Sequence, residues 1–239
     1  MKFAIIAAGK GSRMSSEGEM LPKPLVEIGS VPMIKRLIDA FVQCGASSVS
    51  IIINEDMTDV REYLQSLDCA VALNIVVKNT PGSMFSFYEL RQFLGDEKFC
   101  LSTVDSVFDK TEFAEYIKAF QQDDATDGYM AVTSFIDDEI PLYVDADGCG
   151  QITKFSDEPW DGVRLVSGGI YALTHKALDV LNECVADGIC DMRDYQRRLV
   201  QSGLGLRAYE FEKIVDVDHV GDIATANAFI AEIEHDKKD

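Results

Sequence analysis

The stretch Phe3–Leu25, FAIIAAGKGSRMSSEGEMLPKPL, decides the reading of this chain. Its opening apolar run, FAIIAA, reads as a buried strand at the start of the chain. Gly9-Lys10-Gly11-Ser12-Arg13 follows, a turn of small residues with a cation on each side of Gly11. Glycines at 9 and 11 let backbone N–H groups approach a ligand with no Cβ in the way. Successive N–H groups in such a turn form a concavity for anions. Lys23 then stands between Pro22 and Pro24, which stiffen the backbone around it. A rigidly presented lysine facing an arginine-bearing glycine turn makes a phosphate clamp.

Two better-known motifs are excluded. A Walker loop needs four residues between its first glycine and a Gly-Lys-Ser/Thr ending, a string this sequence does not contain. The dinucleotide fingerprint needs a third glycine, and Met14 stands in its place. No acid follows about 20 residues beyond the turn on a second strand, which disfavours a nicotinamide oxidoreductase.

The conjunction of AAGKGSRM with LPKPLVEI resembles the signature of the nucleotide-diphospho-sugar pyrophosphorylases, nucleotidyltransferases with a GT-A-like α/β fold. The resemblance implies a Rossmann-like three-layer mixed sheet with a small antiparallel subsheet on the acceptor side. It also implies roles. The glycine turn (Ala8, Gly9, Gly11, Ser12) wraps a nucleoside triphosphate, Arg13 handles its β- and γ-phosphates, and Lys23 supports the transition state. Asn79, Gly82 and Ser83, in the loop after the third strand, fall where the family contacts base and ribose. Asp105, at the end of the strand Lys98–Val104, matches a Mg²⁺ ligand, although Val104 replaces the usual preceding glycine. The late segment Ile214–Asp222 matches the second metal ligand. Asp216 is the first choice there and Asp218 the second, placed by strand alternation on the same face.

The acceptor side departs from the pattern. Glu158 stands where the family's Glu-Lys-Pro lysine holds the acceptor phosphate, which shifts that role to Lys154 or Arg164. Gly169, in Ser167-Gly168-Gly169-Ile170-Tyr171, matches a glycine close to the acceptor, and Trp160 is either a pocket wall or a packing residue. A sugar 1-phosphate is the default acceptor. The missing lysine and acidic surroundings also suit a cationic acceptor, as in the phosphocholine cytidylyltransferases of the same superfamily. A non-catalytic, regulatory homologue is disfavoured because it has no need of metal ligands.

Bulk properties agree. The chain has 239 residues, 47% of them apolar, enough for one large α/β domain. The expectation is a single unit over residues 1–239, a nucleotide-binding half (1–110) and an acceptor-binding half (111–239), with no repeat or linker. The formal net charge of −19 argues against nucleic acid or an anionic membrane as partner. Residues 1–36 nevertheless carry +3, so positive charge collects at the clamp. No secretory pattern or apolar run of about 20 residues appears, and a cytoplasmic location is expected. The six cysteines form no CxxC pair and read as buried free thiols. The base, the acceptor and the oligomeric state carry no signature.

The remaining chain alternates. Helices are expected at Met33–Val42, with Gly45 as cap, at Thr58–Leu67 capped by Thr58, at Met84–Leu94 and at Thr111–Gln122. Others are expected at His175–Cys184, Met192–Val200 and Ala224–Ile233, the last giving way to a solvated tail from His235. Asp222 is expected near that last helix's N-terminus, and His219 either as a structural hydrogen-bonder or as a catalytic group. Strands are expected at Val49–Ile53, Val71–Val77 and Tyr129–Phe135, then at Leu142–Val144, Gln151–Phe155 and Arg164–Leu173. Asp145-Ala146-Asp147-Gly148 reads as a hairpin turn rather than a calcium loop.

Overall fold

The computed structural model describes residues 1–236. Its first half runs β1 (Lys2–Ile6), α1 (Ser12–Ser16), β2 (Glu27–Ile28), β3 (Val31–Pro32), α2 (Met33–Gln43), β4 (Ser48–Ile53), α3 (Thr58–Ser66), β5 (Ala72–Val77), α4 (Ser83–Leu90) and β6 (Phe99–Thr103). The chain continues through β7 (Ser106–Phe108), α5 (Lys110–Gln122), β8 (Gly128–Thr133), β9 (Tyr143–Ala146), β10 (Ile152–Ser156) and β11 (Leu165–Leu173). It closes with α6 (Lys176–Ala186), α7 (Met192–Gln201), β12 (Leu206–Phe211), β13 (Ile214–Asp216) and α8 (Val220–Asp236).

The central sheet is mixed, as expected. Its main path is β10–β9–β11–β6–β1–β4–β5, with β8 on β11 and β12 on β8. β1 lies between β4 and β6, parallel to both. That placement explains its unbroken apolar run, because both faces of a central parallel strand are covered. Phe3 and Ile5 point into one core layer with Leu37 and Phe41 of α2 and Phe113 of α5. Ala4 and Ile6 point into the opposite layer, with Phe87 of α4 and Tyr195 of α7. β9, β10 and β11 are antiparallel and form the subsheet expected on the acceptor side. The turn after Asp145 is a hairpin turn, with the Asp147 carboxylate accepting from the Cys149 and Gln151 N–H groups.

A third apolar cluster joins α8 (Phe229, Ile230) to Ile28 of β2, Val107 of β7, Val215 of β13 and Met14 of α1. Met14 is 2% exposed. The residue that breaks the dinucleotide fingerprint is therefore a core anchor, fixing α1 against the late segment. Burying such a side chain contributes about 1.5–3 kcal/mol.

Several expected boundaries shift. Thr58 is the first residue of α3 rather than its cap, and its hydroxyl bonds Asp59. The helix expected to run to Leu94 ends at Leu90 and tightens into a 3₁₀ turn at Arg91–Phe93. α8 begins four residues earlier than expected and continues through Asp236; residues 237–239, the rest of the expected tail, lie outside the described residues. The cysteines are free, but only Cys100 and Cys184 are buried, and Cys149 is exposed on the β9–β10 turn. Among the described residues no helix is long and apolar enough to cross a membrane.

Candidate active site

The parallel strands β1, β4, β5 and β6 end at one rim, where open α/β sheets place their ligands. A cleft of about 660 Å³ opens there, lined by the glycine turn and by loops following these strands. Gly11 has φ +59°, and a Cβ on it would lie 3.3 Å from Lys23 Cβ. The left-handed turn thus launches α1 and lets the Pro22-Lys23-Pro24 segment come close. Lys23 opens a 3₁₀ turn, and its side chain is 9% exposed at the cleft floor.

Five predicted residues converge. Lys23 Nζ donates to Asp105 at 2.7 Å and also to Asp218. Arg13 donates to the second oxygen of Asp218. Asp105, Asp216 and Asp218 each offer an oxygen within 4.8 Å of the others. Three carboxylate oxygens with no sulfur or nitrogen form a donor set for a hard dication such as Mg²⁺, and the residues present fit it.

Burial works against charge at Lys23, but Asp105 and Asp218 outweigh it and hold the ammonium above its usual range. Asp105 is desolvated too, yet Lys23 beside it keeps its carboxyl below the usual carboxylate range. Asp216 goes the other way: desolvation where it faces the recess, then the negative charge of Asp105, raises it. Two cations thus face three acids, and the least compensated is Asp216.

Asp105 sits on the tight link between β6 and β7. Val104 N donates to Ile6 O and Val217 N to Asp105 O, so this link is tied to both β1 and the segment after β13. Neither Val104 nor Asp105 has positive φ, and Val104 is buried. The family's glycine is not required by this backbone. Gly169 is required: with φ +74°, its Cβ would lie 2.6 Å from both Thr103 Oγ1 and Ser106 Oγ. It falls in a register break between β11 and β8, which lets the Asp105 link pack against β11. Asp218 is not on the strand with Asp216, because β13 ends at Asp216. It reaches the site from a turn instead, where Asp222 accepts from the Asp218 and His219 N–H groups at 2.8 and 2.6 Å.

Ala8, Gly9, Ser12, Asn79, Gly82 and Ser83 all border the cleft. Three of them also have structural partners. Asn79 pairs with Glu55 through both its amide atoms, knitting the loops after β4 and β5. A Cβ on Gly82 would lie 2.5 Å from the Cys190 carbonyl oxygen, and Ser83 Oγ accepts from Met192 N. Asn54, Asp56, Thr80 and Ser86 line the same cleft and have no motif that marks them in the sequence. Asn54 and Thr80 follow β4 and β5 closely, so the strand-end rule is the signal that locates them.

The two acceptor-side cations stand away from the cleft. Lys154 lies 4.8 Å from the Trp160 ring, stacked as a cation on its face, and does not border the cleft. Arg164 is 75% exposed and pairs with Glu210. Lys154 follows a register shift in β10 and stands on the face opposite the buried Phe155, and Arg164 precedes β11, so neither side chain lines the cleft or the recess beside it. Trp160 packs edge-on against Tyr143. A narrow recess does adjoin the site: Asp216 lines it with Phe135, Asp137, Asp138, Ser167 and Gly168. Asp105 and Asp218 face the large cleft and Asp216 the recess, so the three carboxylates stand at the junction of two cavities.

Residues 3–168 match the family model of the MobA-like NTP transferase domain. The chain belongs to that family. This NTP transferase domain is 27% identical over 188 residues to a mannose-1-phosphate guanyltransferase of Schizosaccharomyces pombe, covering 75% of this chain and 51% of that protein. A shorter match, 39% over 76 residues, covers 32% of this chain and 29% of a 2-aminoethylphosphonate cytidylyltransferase of Lancefieldella rimae. Among solved structures, a putative glucose-1-phosphate thymidylyltransferase from Bacillus anthracis superposes with a TM-score of 0.84 over 96% of this chain and 94% of that one, at 22% identity. That likeness establishes the GT-A-like fold. The NTP transferase domain spans about half the length of the guanyltransferases it matches.

Proposed function

We propose that this protein is a Mg²⁺-dependent nucleotidyltransferase that joins an NTP to a sugar 1-phosphate, giving an NDP-sugar and pyrophosphate. The observation that carries the reading is the placement of Arg13, Lys23 and three carboxylates where the glycine-turn cleft meets the recess. The nucleotide would occupy the cleft built mainly by residues 1–110; the recess built mainly by 111–239, about 30 Å³, would admit only the end of an acceptor that enters from its mouth.

The chemistry follows from the charges. An acceptor phosphate oxygen attacks the α-phosphorus; the new P–O bond forms as the bond to the β-phosphate oxygen breaks, and pyrophosphate leaves with that electron pair. The nucleophile is ionised at neutral pH, so no general base is needed. The barrier lies in bringing anions together and in charge moving onto the leaving group, so positioning and electrostatics carry the catalysis. Arg13 neutralises the pyrophosphate, and Lys23, held by its prolines, faces the α-phosphate. Asp105, Asp216 and Asp218 would hold Mg²⁺, which supplies charge neutralisation to phosphate oxygens.

A second reading, an amine-bearing phosphorylated acceptor, rests on the recess. Asp137, Asp138 and Asp216 line it beside Phe135, and among the described residues no lysine or arginine does. An acceptor with a cationic end answers those carboxylates, and one relative is named for 2-aminoethylphosphonate.

Pyrophosphate release, measured with Mg²⁺ across the four ribonucleotides and dTTP against sugar 1-phosphates, phosphocholine and 2-aminoethylphosphonate, tests both readings. Release with one NTP–sugar phosphate pair is expected. Release only with an amine-bearing acceptor would replace the first reading by the second, and triphosphate binding without release from any pair would overturn both.

A further inference from the structure

α1 makes two contacts with the segment that carries Asp218. From its first turn, Arg13 holds the Asp218 carboxylate. From its C-terminal cap, Glu17 reaches the same segment one and two residues further on. One Glu17 oxygen pairs with His219 Nδ1, and the other accepts from the Val220 N–H at 2.8 Å. Val220 is the first residue of α8, so that N–H is one of the helix's unpaired terminal donors. A carboxylate there is also favoured by the helix dipole.

The two contacts differ in what the reaction does to them. In the proposed function Arg13 also serves the phosphates, and Asp218 also serves the cation. Their pairing must loosen when both ligands arrive. Glu17 binds two groups that neither ligand claims. One is a backbone N–H, and the other is an imidazole whose far nitrogen lies 3.7 Å from Glu139, next to Asp138 of the recess. We infer that Glu17 is a positioning residue, the tether that keeps the Asp216–Asp218 segment against the glycine-turn helix once Arg13 has turned to the triphosphate. The inference rests on the function proposed above. It predicts that Glu17 matters little to the free protein, where Arg13 still holds Asp218, and much to the loaded one.

The test is Mn²⁺ binding, followed by electron paramagnetic resonance, to the full chain saturated with α,β-methylene NTP analogues. Thermal melting and analogue affinity in EDTA are measured alongside. Glu17→Ala should weaken Mn²⁺ binding about tenfold, in keeping with the loss of a charge-assisted hydrogen bond. Analogue affinity in EDTA should change less than about twofold, and the melting temperature should shift little. Glu17→Gln, whose amide oxygen still accepts from Val220 N–H, should recover most of the loss. Unchanged Mn²⁺ binding in Glu17→Ala would overturn the inference. So would an equal loss of metal-free analogue binding with a lowered melting temperature, which marks a merely structural residue. Absence of Mn²⁺ binding in the unsubstituted protein would instead overturn the proposed function, and the inference with it.

Discussion

Lys23 concentrates the electrostatic problem of this site in one side chain. It is nearly buried, and Asp105 and Asp218 compensate its charge. Lys23→Ala should lower kcat by about 10²–10³, the scale of losing one preorganised donor at a charged transition state. The variant also leaves Asp105 without its cation, and Asp218 with Arg13 alone, beside Asp216. It should therefore melt at a lower temperature in EDTA and regain much of the loss with Mg²⁺, a comparison that thermal denaturation makes directly. A near-normal rate, or a melting temperature indifferent to Mg²⁺, would remove Lys23 from its role. Lys23 and Arg13 are legible in the sequence because the glycine turn and the two prolines are local signals. Their partner is less legible: Asp218 is 205 residues from Arg13, and only the resemblance brings that segment forward. Lys154, expected near the usual place of a phosphate-binding lysine, is placed away from the cleft. A register shift between Ile152 and Lys154 puts its side chain outward, over Trp160, where simple alternation from the buried Ile152 would turn it in.

Among the elements, those with strong apolar periodicity are legible in the sequence and those held by polar or long-range ties are not. β12 escapes a sequence reading because, of Leu206–Phe211, only the two end residues are fully buried. Its register is set instead by parallel pairing with β8. Asp127 secures the start of that pair. It accepts from Lys176 of α6 at 2.8 Å and from Gly205 N at 3.0 Å, so one carboxylate joins β8, α6 and the entry to β12. Partial burial disfavours its charge, but Lys176 and the Gly205 N–H outweigh this and lower its pKa. A group whose pKa falls on folding contributes stability above its unfolded value, near 4, and loses it as pH drops through the folded value. Asp127→Asn should accordingly destabilise the protein by about 1.5–3 kcal/mol at pH 7, the range for a hydrogen bond to a charged group. The difference from the unsubstituted protein should shrink once pH falls below about 4, and vanish when both side chains are neutral. Urea denaturation at pH 7 and pH 3 checks the sign; a gap that widens in acid would contradict it.

At the scale of the molecule, a chain of net charge −19 must accept a polyanion. The +3 excess of residues 1–36 provides local attraction, yet in the free protein its two best-placed cations are engaged. Arg13 and Lys23 neutralise the carboxylates proposed to hold the metal. A triphosphate arriving alone must draw those cations away and leave Asp105, Asp216 and Asp218 facing one another and the ligand. A dication arriving alone must displace the cations with nothing to receive them. Arriving together, the two ligands exchange partners: cations pass to phosphate, and carboxylates to metal. The binding events should therefore be coupled positively and reciprocally, by about 1–3 kcal/mol, or roughly 5–150-fold. Calorimetry with an α,β-methylene NTP analogue should give at least about fivefold tighter binding in saturating Mg²⁺ than in EDTA. Raising the salt concentration should weaken the metal-free complex more, since its cations and anions are the less well paired and part of them face solvent. Equal affinities with and without Mg²⁺ would mean that Arg13 and Lys23 are not shared between the carboxylates and the phosphates, and that the pairing in the free protein is bystander structure.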